Sequence, residues 1–396
     1  MSEAPLHGIR VIELARILAG PWAGQLLADL GADVIKIEHP DGGDDTRTWG
    51  PPFVTGADGV NLSAAYYHAA NRGKRSIAID IATPEGAATV RELIATADVV
   101  IENFKVGGLR KYGLDHDSLK AANPKLVYCS ITGFGQTGPY APRAGYDFII
   151  QAMAGMMSVT GEPDGEPQKA GVAISDLFTG LYSVIAIQAA LRHAERTGEG
   201  QMIDMALFDT QAGMLANQNL NYLVSGVAPR RMGNAHLNIA PYEVFPVADG
   251  HVIIAVGNDG QFRRLCTLLG ATAMGMDPEF RTNPLRVEHR ARLRAGLIVA
   301  LAGWKKLDLL AACDAAAVPA GPINTIEEMF ADPQIVARKL RIDLDDAVGT
   351  HIPGVRTPIL LPASPLHYDR PSPRHGEHSD EILAELADLK QNGRTS

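Results

Sequence analysis

Apolar and polar residues follow two rhythms in the first half of the chain. Short apolar runs at Ile9–Leu14, Val34–Ile37, Ser76–Ile81, Val99–Glu102 and Leu126–Ile131 have the length and composition of buried strands. Between them lie amphipathic stretches. Trp22–Leu30 reads as a helix stopped by Gly31, and Thr83 followed by Pro84 opens another, with Val90, Leu93, Ile94 and Ala97 on one face. Strand and helix in short cycles imply crossover connections, hence an α/β domain with a mainly parallel sheet covered on both faces.

After Gly200 the rhythm changes. Glu243–Val247 and His251–Val256 flank Ala248-Asp249-Gly250, a hairpin signal, and helical patterns then run to about Ala317. Pro319, Gly321 and Pro322 punctuate a loop, and Ser379 is placed to cap a last helix carrying Leu383, Leu386 and Leu389. The expected organisation is a large α/β domain opened by residues 1–224, a smaller α+β domain over 225–325, and a C-terminal return, 326–396, completing the large domain.

Composition narrows the function classes. With 396 residues, 46% hydrophobic and 20% charged, the chain is long enough for two or three domains and too apolar for intrinsic disorder. A formal net charge of −9 opposes binding to a phosphate backbone, so no nucleic-acid partner is expected and any anionic ligand needs local basic groups. Three separated cysteines (Cys129, Cys266, Cys313) fit neither a disulfide framework nor thiolate zinc and suit a reducing cytoplasm. The start, MSEAPLHGIR, lacks a basic region followed by an apolar run, so no signal peptide is expected. Charge interrupts the apolar stretches before about 18 residues, and Asn217, Asn219 and Asn221 break the longer uncharged segment Thr210–Pro229. A soluble, cytoplasmic protein without a membrane partner is expected.

Candidate chemistry is sparse. Gly133-Phe134-Gly135-Gln136-Thr137-Gly138 spells G-x-G-x-x-G after a strand, but Pro139 and Pro142 follow where a dinucleotide-binding helix would run. A glycine-rich turn whose backbone approaches a ligand or neighbour is the better reading. The histidines form no H-E-x-x-H, no metal set is evident, and no G-x-S-x-G elbow occurs. Asp176 stands where an apolar segment meets the long helical pattern Leu177–Leu191. It reads as a helix cap or as a nucleophile, and the two roles are compatible, because a helix N-terminus keeps a carboxylate ionised.

The ordered motifs identify a family resemblance. GIRVIELARILAGPWAGQLLADLGADVIKIEHP (8–40), GDDTRTWGPPF (43–53), NRGKRSIAIDI (71–81), DVVIENFKVGGLRKYGLD (98–115), SITGFGQTGPY (130–140), AGYDFIIQAMAGMMSVTG (144–161), SDLFTGLYSVIAIQAALRHAERTGEGQMIDMALFD (175–209) and GEHSDEIL (376–383) resemble the class III CoA-transferases, the CaiB–BaiF family, which includes formyl-CoA transferase. The resemblance implies a Rossmann-like large domain, a smaller inserted domain, and two protomers threaded as interlocked rings in a homodimer. It also implies that Asp176 is the catalytic nucleophile, forming an aspartyl-acyl anhydride and then an aspartyl-CoA thioester. Coenzyme A would then be a substrate thioester rather than a resident cofactor, and no metal is expected. An Asp carboxylate, with an ordinary pKa of about 3.9, would be ionised at neutral pH without a general base.

By motif, the resemblance places CoA contacts at Leu18, Ala19, His39, Asn103, Phe104, Lys111, Tyr146 and Asp147, although many members carry Arg where His39 stands. Arg47, Arg72, Lys74 and Arg75 offer positive charge for phosphates or for the unreacting carboxylate of a dicarboxylate, against the plainer reading of solvated surface charge. Gly257-Asn258-Asp259-Gly260-Gln261 resembles a small-domain loop that covers the nucleophile, or is a turn after the 251–256 strand. Within the family the motifs look most like the succinyl-CoA:dicarboxylate branch, with succinyl-CoA as donor and an acid such as glutarate as acceptor. Related α-methylacyl-CoA racemases use a histidine where Tyr146 stands, and a phenol is a poor base for an α-proton. A non-enzymatic CoA-binding protein is the remaining alternative, disfavoured by the intact Asp176.

Overall fold

The computed structural model describes residues 3–391 and divides into two units. The larger takes the chain up to Met156, then Ala170–Asn217, and the described residues from Gln334 onward; the smaller takes Met157–Lys169 and Gln218–Pro333. Six strands form the sheet of the larger unit: β1 (Arg10–Glu13), β2 (Asp33–Glu38), β3 (Arg75–Ala78), β4 (Val99–Glu102), β5 (Val127–Thr132) and β6 (Met202–Ala206). Every neighbouring pair is parallel, in the order β3-β2-β1-β4-β5-β6. This is a doubly wound α/β arrangement. Successive residues Val11 and Ile12 of β1 enter different apolar clusters, one with Leu27, Val34 and Ile187, the other with Ile35, Ile77 and Leu93, as a sheet buried on both faces requires.

Five strands coincide with the apolar runs; β6 does not. It pairs with β5 alone, and Met202-Ile203-Asp204-Met205-Ala206 is half exposed, so no continuous apolar run marks it. Five helices of this unit matter below: α1 (Ala19–Asp29), α2 (Pro84–Ala95), α3 (Asp147–Met153), α4 (Ile174–Thr197) and α5 (Leu207–Met214). α1 starts three residues before the amphipathic pattern because Pro21, lacking an N–H, is tolerated in a first turn. Thr83 caps α2, its Oγ1 accepting from Gly86 N at 3.0 Å. α4 is long and apolar enough, by length and composition, to cross a membrane. Its inner stripe, Val184, Ile187 and Leu191, belongs to the core, whereas Phe178, Leu181, Tyr182 and Ile185 are exposed.

The smaller unit holds a three-stranded antiparallel sheet of β7 (Tyr242–Val247), β8 (Gly250–Ala255) and β9 (Ala320–Pro322), in the order β9-β8-β7. The β7–β8 hairpin turns at Gly250, whose φ of +144° suits glycine. Phe245, Val252, Ile254, Leu297 and Leu309 build its core with Phe262 of α6 (Asp259–Leu268). Residues 157–169 join this unit through Arg231, which donates to the carbonyls of Glu162 and Gly165. No apolar pattern flags that segment. The C-terminal return ends in α7 (Ser379–Gln391), where Ser379 Oγ accepts from Ala78 N of β3. Ile382 and Leu386 form its buried stripe, while Leu383 is exposed.

Candidate active site

In a sheet of this order the strand sequence reverses between β1 and β4, and the loops leaving their carboxyl ends part to open a crevice. The structure has a cavity of about 280 Å³ at that place. Arg16–Ala19 after β1, Asn103–Val106 after β4 and the end of β5 with Gly133 line it, joined by Arg143–Asp147, Leu207 and Asp176.

Two glycines bring those walls together. Gly133 and Gly145 cross so closely that a Cβ on Gly133 would lie 2.5 Å from Gly145 Cα. The glycine-rich string after β5 is therefore a turn approaching a neighbour, and the crossing sets Tyr146 and Asp147 at the cavity. On α4, a Cβ at Gly180 would lie 2.8 Å from the carbonyl oxygen of Ala19 and 3.0 Å from the Trp22 ring. Only a bare Cα lets α4 rest on the start of α1, and Asp176, one turn earlier, thereby reaches the same cavity as Leu18 and Ala19.

Asp176 is the third residue of α4 and does not cap it; the N-cap position is Ala173, without a side-chain cap. No hydrogen bond to its carboxylate is made among the described residues. Asp147, at the start of α3, is by contrast fully engaged. Its Oδ1 accepts from Ser175 N at 2.8 Å and its Oδ2 from Gln151 Nε2 at 2.7 Å. Burial, with the Asp147 charge adding to it, pushes the Asp176 carboxyl up to about 7. Against the expectation of an ordinary ionised carboxylate, the fold therefore works to keep a proton on Asp176. A more basic carboxylate is also a stronger nucleophile once ionised. Burial first, and then the charges of Asp176, Asp147 and Asp44, raise the Tyr66 phenol.

The four basic residues offered for phosphate or a distal carboxylate are redirected by the structure. Arg47 is buried and grips Glu38 through two nitrogens, at 2.8 and 2.6 Å. Arg72 does the same with Asp29, at 2.9 and 2.7 Å. Lys74 donates to Glu13, Pro21 O and Asn71 Oδ1, and Arg75 to Asp33, Glu381 and Glu385. Each charge is matched inside the fold, and none lines the cavity. The cations at the cavity are Arg16, Lys105 and Arg143, which sequence reasoning passed over although Lys105 directly follows the Asn103-Phe104 motif.

Other expected positions divide. Leu18, Ala19, Asn103, Phe104, Tyr146 and Asp147 line the cavity. Asn103 does so with its amide already committed, accepting from Arg16 N at 3.0 Å and donating to Arg16 O at 2.7 Å. His39 and Lys111 lie outside its lining; His39 Nδ1 accepts from Asp41 N, and Lys111 Nζ sits 4.6 Å from the Tyr112 ring centroid. Gly257–Gln261 belongs to the smaller unit as the capped start of α6: Asn258 Oδ1 accepts from Gln261 N, Gln261 Oε1 accepts from Gly257 N, and Asp259 pairs with buried Arg286 at 2.8 Å. Glu102 was not foreseen. It is buried at the end of β4 and accepts from Phe104 N at 2.7 Å, and burial pushes its carboxyl up to about 7 against the Ser130 and Phe104 donors.

Comparison with known proteins decides the family. The model of CoA-transferase family III matches residues 6–379. The chain belongs to that family. Succinate–glutarate CoA-transferase of Agrobacterium fabrum is 67% identical over 389 residues, covering 98% of this chain and 97% of the relative. Human succinyl-CoA:glutarate CoA-transferase is 38% identical over 382 residues, covering 96% and 86%. A crystal structure of a CaiB/BaiF family protein from Brucella suis superposes with a TM-score of 0.87 at 61% identity, over 97% of this chain and all of the other. The protein is a CoA-transferase, and the cavity at the sheet's switch point is the candidate seat of its chemistry.

Proposed function

We propose that this family III CoA-transferase moves CoA from succinyl-CoA to a dicarboxylate, glutarate first among them, through Asp176. The observation that carries the reading is a carboxylate without hydrogen-bond partners among the described residues, set in the crevice where the α/β sheet opens. The donor and acceptor follow those for which the 67%-identical relative is named.

The chemistry balances without an external energy source. An Asp176 oxygen attacks the thioester carbonyl, the C–S bond breaks, and CoA leaves as the thiolate, giving a mixed anhydride. The thiolate attacks the Asp176 carbonyl carbon, releasing succinate and leaving an aspartyl-CoA thioester. The acceptor carboxylate attacks that thioester and expels the thiolate, forming a new anhydride. The thiolate then takes the acceptor's acyl group and frees Asp176. Arg16, Lys105 and Arg143 stand at the cavity for the acceptor's second carboxylate and for phosphate, roles first considered for Arg47 and Arg72.

The proposed working form is a homodimer in a reducing cytoplasm. The exposed stripe Phe178, Leu181, Tyr182 and Ile185 of α4 supports an interface, and the three cysteines are all free and buried. Light scattering at nanomolar concentration tests the dimer, a monomer being the contrary result. The substrate reading is tested by offering succinyl-CoA with a panel of acids and reading acyl-CoA products by mass. Glutaryl-CoA should form fastest; faster transfer to formate, oxalate or a monocarboxylate would overturn it.

A further inference from the structure

The wall of the cavity after β1 contains a backbone conformation that its residue does not favour. Ile17 has φ +72°, in the left-handed region that a β-branched side chain avoids. Such a residue persists only where its surroundings over-determine it. Here they do so from three directions. Asn103 brackets Arg16 on both its N–H and its carbonyl. Lys36, fully buried, donates to Ala15 O at 2.8 Å. The Ile17 N–H itself is shared between the two oxygens of Asp44, at 3.3 and 3.2 Å.

Asp44 is in turn fixed. It is fully buried, pairs with Lys36 Nζ at 2.9 Å, and accepts from Thr46 N and Thr46 Oγ1 at 3.0 and 2.7 Å. It lies 27 residues from Ile17 in sequence and does not line the cavity. The plainer reading is a cap for the short turn Asp45–Thr48, which Asp44 does provide. That reading leaves the bond to Ile17 and the strained φ without a use.

The geometry points to Asp44 as a positioning residue that acts through Ile17: its carboxylate holds the Arg16–Ala19 wall in the left-handed form that binds the acyl-CoA. The inference rests on reading the cavity as the acyl-CoA site. Without the carboxylate, Ile17 relaxes toward negative φ and the wall moves, weakening binding of the ground and transition states alike. Glycine at position 17 adopts positive φ without steric penalty, so the wall then needs Asp44 much less.

The test is a double-mutant cycle on the full-length enzyme with succinyl-CoA. Asp44→Asn should raise KM for succinyl-CoA about tenfold with kcat within about threefold, the pattern of lost uniform binding. In an Ile17→Gly background the same Asp44→Asn change should raise KM no more than about twofold. An equal loss in both backgrounds, or a loss confined to kcat, overturns the inference, because a cap alone predicts no dependence on residue 17. Should Asp44→Asn not fold, Thr46→Val, which removes one donor to Asp44, is put through the same cycle with the same two readings. Asp176→Ala separates the two claims. If that protein is inactive and the cycle is additive, only the role of Asp44 falls; if it still turns over, the reading of the site falls.

Discussion

Replacing Asp176 by Asn should abolish transfer and, by the same change, make the protein more stable at alkaline pH. The side chain keeps its size, so packing is almost untouched. What disappears is the penalty of holding a carboxylate away from water beside Asp147. The Asp176 carboxyl is raised from 3.8 to about 7 in the folded protein. At about 1.4 kcal/mol per unit, full ionisation costs the fold about 4 kcal/mol as an upper bound. The side chain is partly open to the cavity, and screening there lowers the expected difference to about 2 kcal/mol. The sign follows from the raised value: folding favours the protonated form, so the contribution is intact below about pH 4 and is lost as pH climbs toward 7. Asp176→Asn therefore gains little at pH 4 and the whole difference by pH 8. Urea unfolding of both proteins across this range, at one protein concentration, measures it. A stability difference that does not change with pH, or an Asp176→Asn protein less stable at pH 8, would refute the reasoning.

Asp147→Asn removes the second charge but keeps an acceptor for Ser175 N, so the acid limb of the kcat/KM profile should move down by up to about one pH unit; an unmoved limb would exclude electrostatic coupling of the pair. Gly180→Ala places a methyl 2.8 Å from the Ala19 carbonyl, pushing α4 off α1, and should lower kcat about tenfold or more while circular dichroism stays unchanged. Arg72→Met strands the buried Asp29 carboxylate and should cost about 3–5 kcal/mol in urea unfolding, with KM for glutarate unaltered. A raised KM without lost stability would return Arg72 to the substrate site.

The fold was legible where burial writes a continuous signal. Five strands, the Thr83-Pro84 helix start and the 248–250 hairpin follow from local pattern, whereas β6, an edge strand with one neighbour, carries no such run. The site was legible less directly. Motif resemblance, rather than spacing, singled out Asp176 and most of the lining, because its local context reads equally as a helix start. The pairing of the basic residues was hidden from the sequence for a physical reason. Arg72 finds Asp29 43 positions away, and Arg47 finds Glu38 on a strand, so their pairing exists only in the folded chain. The left-handed Ile17 left no trace at all, since nothing in a β-branched residue announces positive φ.

The central claim, that Asp176 is the covalent carrier, is tested most directly by trapping it. The enzyme is incubated with succinyl-CoA and no acceptor, quenched in acid, digested, and the peptide spanning Asp176 is weighed with and without hydroxylamine. The account predicts an acyl or CoA adduct on that peptide, converted by hydroxylamine to a hydroxamate, and its absence from Asp176→Asn. An unmodified peptide from enzyme that transfers CoA briskly once acid is added would contradict it.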